Sequence, residues 1–366
     1  SSDLMFYTFS VIESGSVINL VEEPETVIKD QQEVAPTIHF AVPRVWEKQY
    51  SLVTIKVKEA TWVGRRSYEL AIGIGRKVAG FRMNGGEPGF LLKLLHSLVD
   101  FLVLKNIRIL LGIDSCRWLS TAAAPIAPDL IEWFWALGKP MYEVYGQTEC
   151  TGLATANTPL SNRVGSVGKS TPGTEIVLSS EREILIKGPG VIRGYWNQEA
   201  KTSETFVDGW LHTGDVGKID DEGYVYIVDR MKDIIITAGG KNITPSEFEN
   251  QLKFSPFVSD AVVVGDKRPY LSCLVMIDQE NVTNYAQDKN VPFTNYTSLC
   301  HTQEVQDLIW REIESVNTRF ARVETIKKFR LIDQLLDLED EELTPTMKLK
   351  RKVVNEKYQG LIQEMY

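Results

Sequence analysis

The sequence predicts an α/β chain with a β-rich, barrel-like stretch, ending in a smaller α+β portion. Three observations carry this. Over residues 1–150, short apolar runs alternate with helical stretches, the pattern of a parallel sheet covered by helices. Over residues 164–230, turn signals recur at short intervals: Thr171-Pro172-Gly173, Gly188-Pro189-Gly190, Asp208-Gly209 and Asp221-Glu222-Gly223. Beyond Lys232, helix starts and strand-like runs mix again.

In chain order, Val17-Ile18-Asn19-Leu20 and Thr37-Ile38-His39-Phe40-Ala41-Val42 read as buried strands. Helical patterns run from about Arg44 to Ala79 and from about Gly89 to Leu111. In the second, Leu91, Leu94, Leu95, Leu98 and Leu102 fall at helical spacing. Lys93, His96, Asp100, Lys105 and Arg108 interrupt that stretch, so it is not a simple bilayer span. A core-packed helix is the simpler reading and a membrane-surface helix the sharper one. Glu183–Lys187 and Tyr224–Val228 read as strands between turns. Thr244-Pro245-Ser246-Glu247 reads as a helix start, with Thr244 the N-cap, Pro245 the first helical residue and Glu247 the reciprocal capping partner. Ala261–Val264 and Leu271–Ile277 read as neighbouring strands, followed by a helix from about Gln303 to Phe320 and a last one after Lys352. With no long linker in between, the boundary reads as a tight hinge near Asp229–Asp233.

Composition narrows the function. Of 366 residues, 43% are hydrophobic and 24% charged, an ordinary globular balance that fits roughly two or three domains. A net charge of -9 argues against a general nucleic-acid binder. Cys116, Cys150, Cys273 and Cys300 lie far apart, as free thiols of a reducing compartment do. His39, His96, His212 and His301 form no metal-ligand pair. Ser1-Ser2-Asp3 leads into Leu4-Met5-Phe6-Tyr7 without a basic leader.

Several stretches can carry chemistry. Tyr145-Gly146-Gln147-Thr148-Glu149 follows the apolar Pro140–Val144, which puts polar tips at the C-terminal edge of a sheet, where ligands bind. An aromatic ring can stack on a purine, a hydroxyl can bond a phosphate oxygen, and a glutamate can hold Mg²⁺. An ordinary strand-end turn is the plainer reading. Asp215 closes Trp210-Leu211-His212-Thr213-Gly214-Asp215, and a carboxylate can accept both hydroxyls of a ribose diol. Arg230 can bond ribose or phosphate oxygens, unless the two simply pair as a salt bridge. The small residues of Ser120-Thr121-Ala122-Ala123-Ala124-Pro125 allow close approach to a flat ligand, or only a tight corner. Gly239-Gly240-Lys241-Asn242 is either a passage for a thin ligand or a hairpin corner. Thr344-Pro345-Thr346-Met347-Lys348-Leu349-Lys350-Arg351 offers a mobile ammonium or a solvated basic face.

Taken in order, these stretches resemble the motif series of the adenylate-forming, AMP-binding enzymes. The likeness is greatest to the long-chain fatty acyl-CoA synthetases, which Pro36–Lys48 also resembles. The resemblance implies an adenylate-forming large domain over 1–229 (β-rich part about 164–229), a hinge at 230–233 centred on Lys232, and a small mobile C-terminal domain over 234–366. It implies ATP-dependent activation of a fatty acid to an acyl-adenylate and transfer to coenzyme A, with Mg²⁺. By resemblance Lys348, Thr148 and Glu149 are catalytic, with Glu149 on the metal. Ala123, Ala124, Tyr145, Gly146, Asp215 and Arg230 hold the adenylate, and Gly240 and Lys241 lie on the coenzyme A path. Ala122 and Met347 stand where the family has glycine. The family's Ser/Thr/Gly-rich phosphate loop is not found in the sequence, so the expectation is an N-terminally incomplete chain without ATP turnover of its own. The rival reading is a degenerate relative that binds nucleotide or a partner without turnover. Fatty acid, ATP and coenzyme A are the expected partners, in the cytoplasm, with a peripheral membrane contact and a homodimer left open.

Overall fold

The computed structural model describes residues 10–21, 26–336, 341–343 and 349–366. The chain divides into two compact units, Ser1–Gln49 with Lys56–Val228, and Tyr50–Ile55 with Asp229–Tyr366.

The first unit opens with short helices α1 (Ser10–Ser14) and α2 (Val27–Val34). The strand expected at Val17–Leu20 is not formed; this stretch is coil, and Val17 is 85% exposed. No described strand lies beside it to take its backbone groups, and an apolar run without a ladder partner does not hold as a strand. Strands β1 (Ile38–Ala41), β2 (Trp118–Thr121) and β3 (Met141–Tyr145) form a parallel ladder, with Ala41 beside Thr121 and Thr121 beside Glu143. Two short antiparallel strands, β4 (Thr155–Ala156) and β5 (Lys169–Ser170), extend it past β3.

Helix α3 (Pro43–Glu59) follows β1, and its fully buried Trp46 meets Phe134 edge-on at 5.3 Å. The helical stretch expected from about Arg44 to Ala79 is divided at Thr61, whose hydroxyl accepts the Gly64 N–H and starts α4 (Trp62–Met83) afresh. The second pattern becomes α5 (Phe90–Val99), a π turn (Asp100–Leu104) and α6 (Lys105–Leu110). The Arg108 guanidinium, 8% exposed, holds this irregular turn by pairing with Asp100, with Asp114 at 2.7 Å, and with the Leu137 carbonyl at 2.9 Å.

The core-packed reading of the leucine stripe is overturned. Leu91, Leu94, Leu98 and Leu102 are 68, 59, 56 and 56% exposed. Lys93, His96 and Asp100 share the segment with these leucines, and Val99 and Leu104 are the positions that pack inward.

After α7 (Pro128–Ala136) the β-rich part forms an open sheet in the order β10 (Val225–Arg230), β9 (Trp210–Ile219), β7 (Glu183–Lys187), β6 (Glu175–Leu178). The strand β8 (Phe206–Val207), preceded by α8 (Glu199–Thr205), pairs with β9. Among the described residues it does not close into a barrel.

In the second unit, β11 (Ile235–Ile236) and β12 (Asn242–Ile243) form a small hairpin ahead of α9 (Pro245–Lys253). The expected cap of α9 is corrected: the Thr244 side chain makes no capping bond, and the Asp229 carboxylate takes the Ser246 N–H at 3.1 Å instead. A charged acceptor at a helix N-terminus outbids the hydroxyl. The main sheet runs β13 (Val258–Val264), β14 (Leu271–Ile277), β15 (Ile326–Leu331), with β14 antiparallel to β13 and parallel to β15. Ala261 and Val263 join one core while Val262 and Val264 join another. Helices α9, α10 (Gln279–Asp288), α11 (Tyr296–Cys300) and α12 (Gln303–Asn317) supply the first core, and α13 (Arg351–Lys357) and α14 (Gln359–Glu364) the second. A sheet covered on both faces needs strands without alternation, which is why both read as unbroken apolar runs.

Candidate active site

In the first unit, the end of β3 and the middle of β9 build one polar knot. The Tyr145 hydroxyl donates to Asp215 Oδ2 at 2.6 Å. Gln147 Nε2 donates to the same oxygen at 2.8 Å and to the Thr213 carbonyl at 3.0 Å. Burial, and then the Asp215 charge, push the Tyr145 hydroxyl far up, so it remains a donor. Asp215 is 4% exposed.

Asp215 reaches this place through a bulge. Glu183 pairs with Val216 while Leu185 pairs with His212, so Thr213, Gly214 and Asp215 together face Ile184 alone. Such an insertion re-aims side chains. Gly214 takes φ +70°, a left-handed value easy for glycine. The Glu183 carboxylate clamps the bulge, accepting the Gly214 N–H at 2.8 Å and meeting His212 Nδ1 at 2.8 Å. Gly146 answers to space: a Cβ there would come within 2.4 Å of the Gly152 carbonyl oxygen.

Thr148 and Glu149 lie on the 3₁₀ turn Thr148–Cys150, Thr148 exposed and Glu149 half-buried. Glu149 Oε1 accepts the Tyr195 hydroxyl at 2.7 Å, and its carbonyl accepts the Ile192 N–H at 2.8 Å. One carboxylate fits Mg²⁺, which is commonly held by one or two carboxylates together with substrate phosphates. Among the described residues no three acidic, His or Cys side chains gather as a protein-only metal site. Ala123 and Ala124 follow β2; Ala123, not Ala122, takes the left-handed φ of +71°. Glu143, beside Thr121 in the ladder, is half-buried, but desolvation of its carboxyl pushes it up to about 8.

In the second unit, Arg230 and Lys232 are exposed, Lys232 on the 3₁₀ turn Met231–Asp233. Gly240, at φ +75°, and Lys241 form the turn of the β11–β12 hairpin, and Lys241 Nζ pairs with Glu324 at 2.9 Å. Lys348 lies outside the described residues. Its flanks are fixed: Leu343 and Leu349 bridge in antiparallel fashion, and Leu349 N–H donates to Asp260 Oδ2 at 2.9 Å. Arg351 is bound by Glu249 at 2.5 Å and donates to the Val263 carbonyl at 2.6 Å.

The structure thus brings Tyr145, Gly146 and Asp215 to one place. Sequence reasoning assigned no role to Gln147, Glu183 or Tyr195. The signal for Glu183 was the glycine of Thr213-Gly214-Asp215, since glycine inside a strand pattern marks a bulge.

Comparison with known proteins gives the fold and the family. Solved structures share the fold of adenylate-forming enzymes. The adenylation domain of a carboxylate reductase from Mycobacterium chelonae superposes with a TM-score of 0.70 at 19% identity, over 94% of this chain and 49% of that one. The O-succinylbenzoate coenzyme A synthetase of Bacillus subtilis, solved with ATP and magnesium, gives 0.50 at 28% identity, over 65% of this chain and 46% of that one. Residues 3–196 match the family described as AMP-binding enzyme, and residues 232–366 its C-terminal domain. The chain belongs to the AMP-binding enzyme family. A putative fatty-acid–CoA ligase, fadD11, of Mycobacterium tuberculosis is 36% identical over 96% of this chain and 62% of its own length. The long-chain-fatty-acid–CoA ligase ACSBG2 of Gallus gallus is 34% identical over 93% of this chain and 47% of its own. The chain therefore spans about half to three-fifths of the length of these relatives.

Proposed function

We propose that the protein takes part in ATP-dependent activation of a long-chain fatty acid to an acyl-adenylate, followed by transfer to coenzyme A. The observation that supports it most is the Tyr145–Gln147–Asp215 knot at the C-terminal edge of the parallel sheet. Names of the relatives as fatty-acid–CoA ligases support the acyl substrate and the thiol acceptor.

In this reading the fatty acid carboxylate attacks the α-phosphorus of ATP and pyrophosphate leaves. The coenzyme A thiol then attacks the acyl carbonyl and AMP leaves. Asp215 accepts from the ribose diol, held in place by the bonds it takes from Tyr145 and Gln147. The Tyr145 ring, fixed through its own hydroxyl, stacks on the purine, with Gly146, Ala123 and Ala124 allowing close approach. Thr148 donates to phosphate oxygen. Glu149, oriented by Tyr195, would hold Mg²⁺, which neutralises phosphate charge when bound. Arg230 bonds a ribose or phosphate oxygen of the nucleotide. Residues 1–229 and 234–366 act as large and small domains with the hinge at Lys232, and Gly240 and Lys241 border the coenzyme A path. Lys348 places an ammonium between carboxylate and polyphosphate as charge shifts.

The test separates the half-reactions. Lys348→Ala is expected to lower pyrophosphate release by roughly 10²–10³ fold while sparing thioester formation from supplied acyl-adenylate. Near-normal pyrophosphate release would remove Lys348 from the mechanism.

A further inference from the structure

We propose that Asp260 is a positioning residue for Lys348: its carboxylate holds the peptide group that follows Lys348 and so sets where the Lys348 side chain starts. The inference rests on the adenylation role given to Lys348 above. Leu349 N–H donates to Asp260 Oδ2 at 2.9 Å. A peptide group is planar, and the plane that contains an N–H begins at the Cα of the preceding residue. Of the bonds that hold this segment, the one to Asp260 is therefore made by the peptide group nearest the ammonium's stem.

Asp260 breaks the pattern of its strand. β13 reads Val258-Ser259-Asp260-Ala261-Val262-Val263-Val264, an otherwise mostly apolar and buried run, where a carboxylate is costly unless it is bonded. Asp260 is 4% exposed. A bulge aims it: Val258 pairs with Ile277 and Asp260 with Met276, two steps along β13 for one along β14. Oδ1 accepts the Ala261 N–H at 2.8 Å, which orients the carboxylate with Oδ2 toward Leu349. The next two residues are gripped elsewhere. Lys350 N–H donates to the Glu342 carbonyl at 2.7 Å, and Arg351 is bound by Glu249 and the Val263 carbonyl. Those anchors fix the segment, and Asp260 fixes its Lys348 end. A reacting group misplaced by about 1 Å can lose on the order of a hundredfold in rate.

The experiment follows covalent labelling of Lys348 by a supplied acyl-adenylate in the 366-residue chain, read by peptide mass spectrometry. The neutral Lys348 amine attacks the acyl carbonyl and an amide forms. The acyl–phosphate C–O bond breaks, AMP leaves with its electron pair, and the amine proton goes to solvent. The probe needs no triphosphate. Labelling of the parent should saturate with adenylate and fall with added AMP. Asp260→Ala should lower the saturating rate about tenfold at an unchanged half-saturating concentration. Asp260→Asn, which keeps one acceptor oxygen for two N–H donors, should lose less. Circular dichroism melts check folding. A folded Asp260→Ala chain labelled at the parent's saturating rate would overturn the proposal, as would a change in half-saturating concentration alone. Should Asp260→Ala not fold, Asp260→Asn labelled at the parent's rate would overturn it. Labelling of the parent that AMP does not suppress would overturn the role of Lys348 itself, and the proposal with it.

Discussion

The β3–β9 knot of the first unit and the β11–β12 turn of the second both hold residues assigned to ligand, and they are built differently. In the knot, Asp215 is 4% exposed and already accepts from two side chains, so the geometry exists before any ligand arrives. In the turn, a Cβ on Gly240 would meet nothing within 4 Å, and the Lys241–Glu324 pair leaves the two side chains 45% and 30% exposed. Preorganised acceptors bind with little reorganisation, whereas an exposed pair rearranges readily. In the proposed function the first region sets nucleotide geometry, and the second can be altered at little structural expense.

The largest effect that would break this contrast falls on Asp215. Asp215→Ala removes a charged acceptor and strands the Tyr145 and Gln147 donors. Affinity for AMP should fall about a hundredfold, with a loss of about 2 kcal/mol in stability, read by calorimetry and denaturant melts. Unchanged values in both would show that the knot is not the nucleotide site.

An effect of comparable size, read as a pH dependence, falls on Glu143. Its folded value of about 8 lies above its ordinary 4.5, so the folded state holds the proton more tightly. Stability is then greatest below pH 4.5 for this group and declines through pH 8, where the charged form stays buried. Glu143→Gln should abolish that decline, a gain of up to about 5 kcal/mol above pH 8. A variant with the same pH slope as the parent would contradict the assignment.

The smallest effect is expected at Lys241. Lys241→Ala should change stability by less than about 1 kcal/mol, since the pair it breaks is solvent-screened. A loss of several kcal/mol would mean that the turn is as tightly built as the knot.

Much of this was legible in the sequence. Strands β1 and β3, the turn-rich middle, and β13 and β14 follow from apolar runs and from glycine and proline turns, whereas β2 and β15 carried no strand reading. Tyr145 stood out at the end of a strand pattern, and Asp215 through the family resemblance of the segment that it closes. What stayed hidden was long-range. Asp229 capping α9 and Glu183 clamping the bulge depend on chain segments that only folding brings together. The outward leucines misled because helical spacing shows which residues share a face, and not whether another element covers that face. Val17–Leu20 misled because strand propensity does not supply a neighbouring strand.

The central claim is that Asp215 reads the ribose hydroxyls. Titration calorimetry of the parent and Asp215→Ala chains with AMP and with 2′,3′-dideoxy-AMP tests it directly. The parent should prefer AMP by about tenfold or more, and the variant should bind both nucleotides alike. An equal preference for AMP in both proteins would contradict the claim.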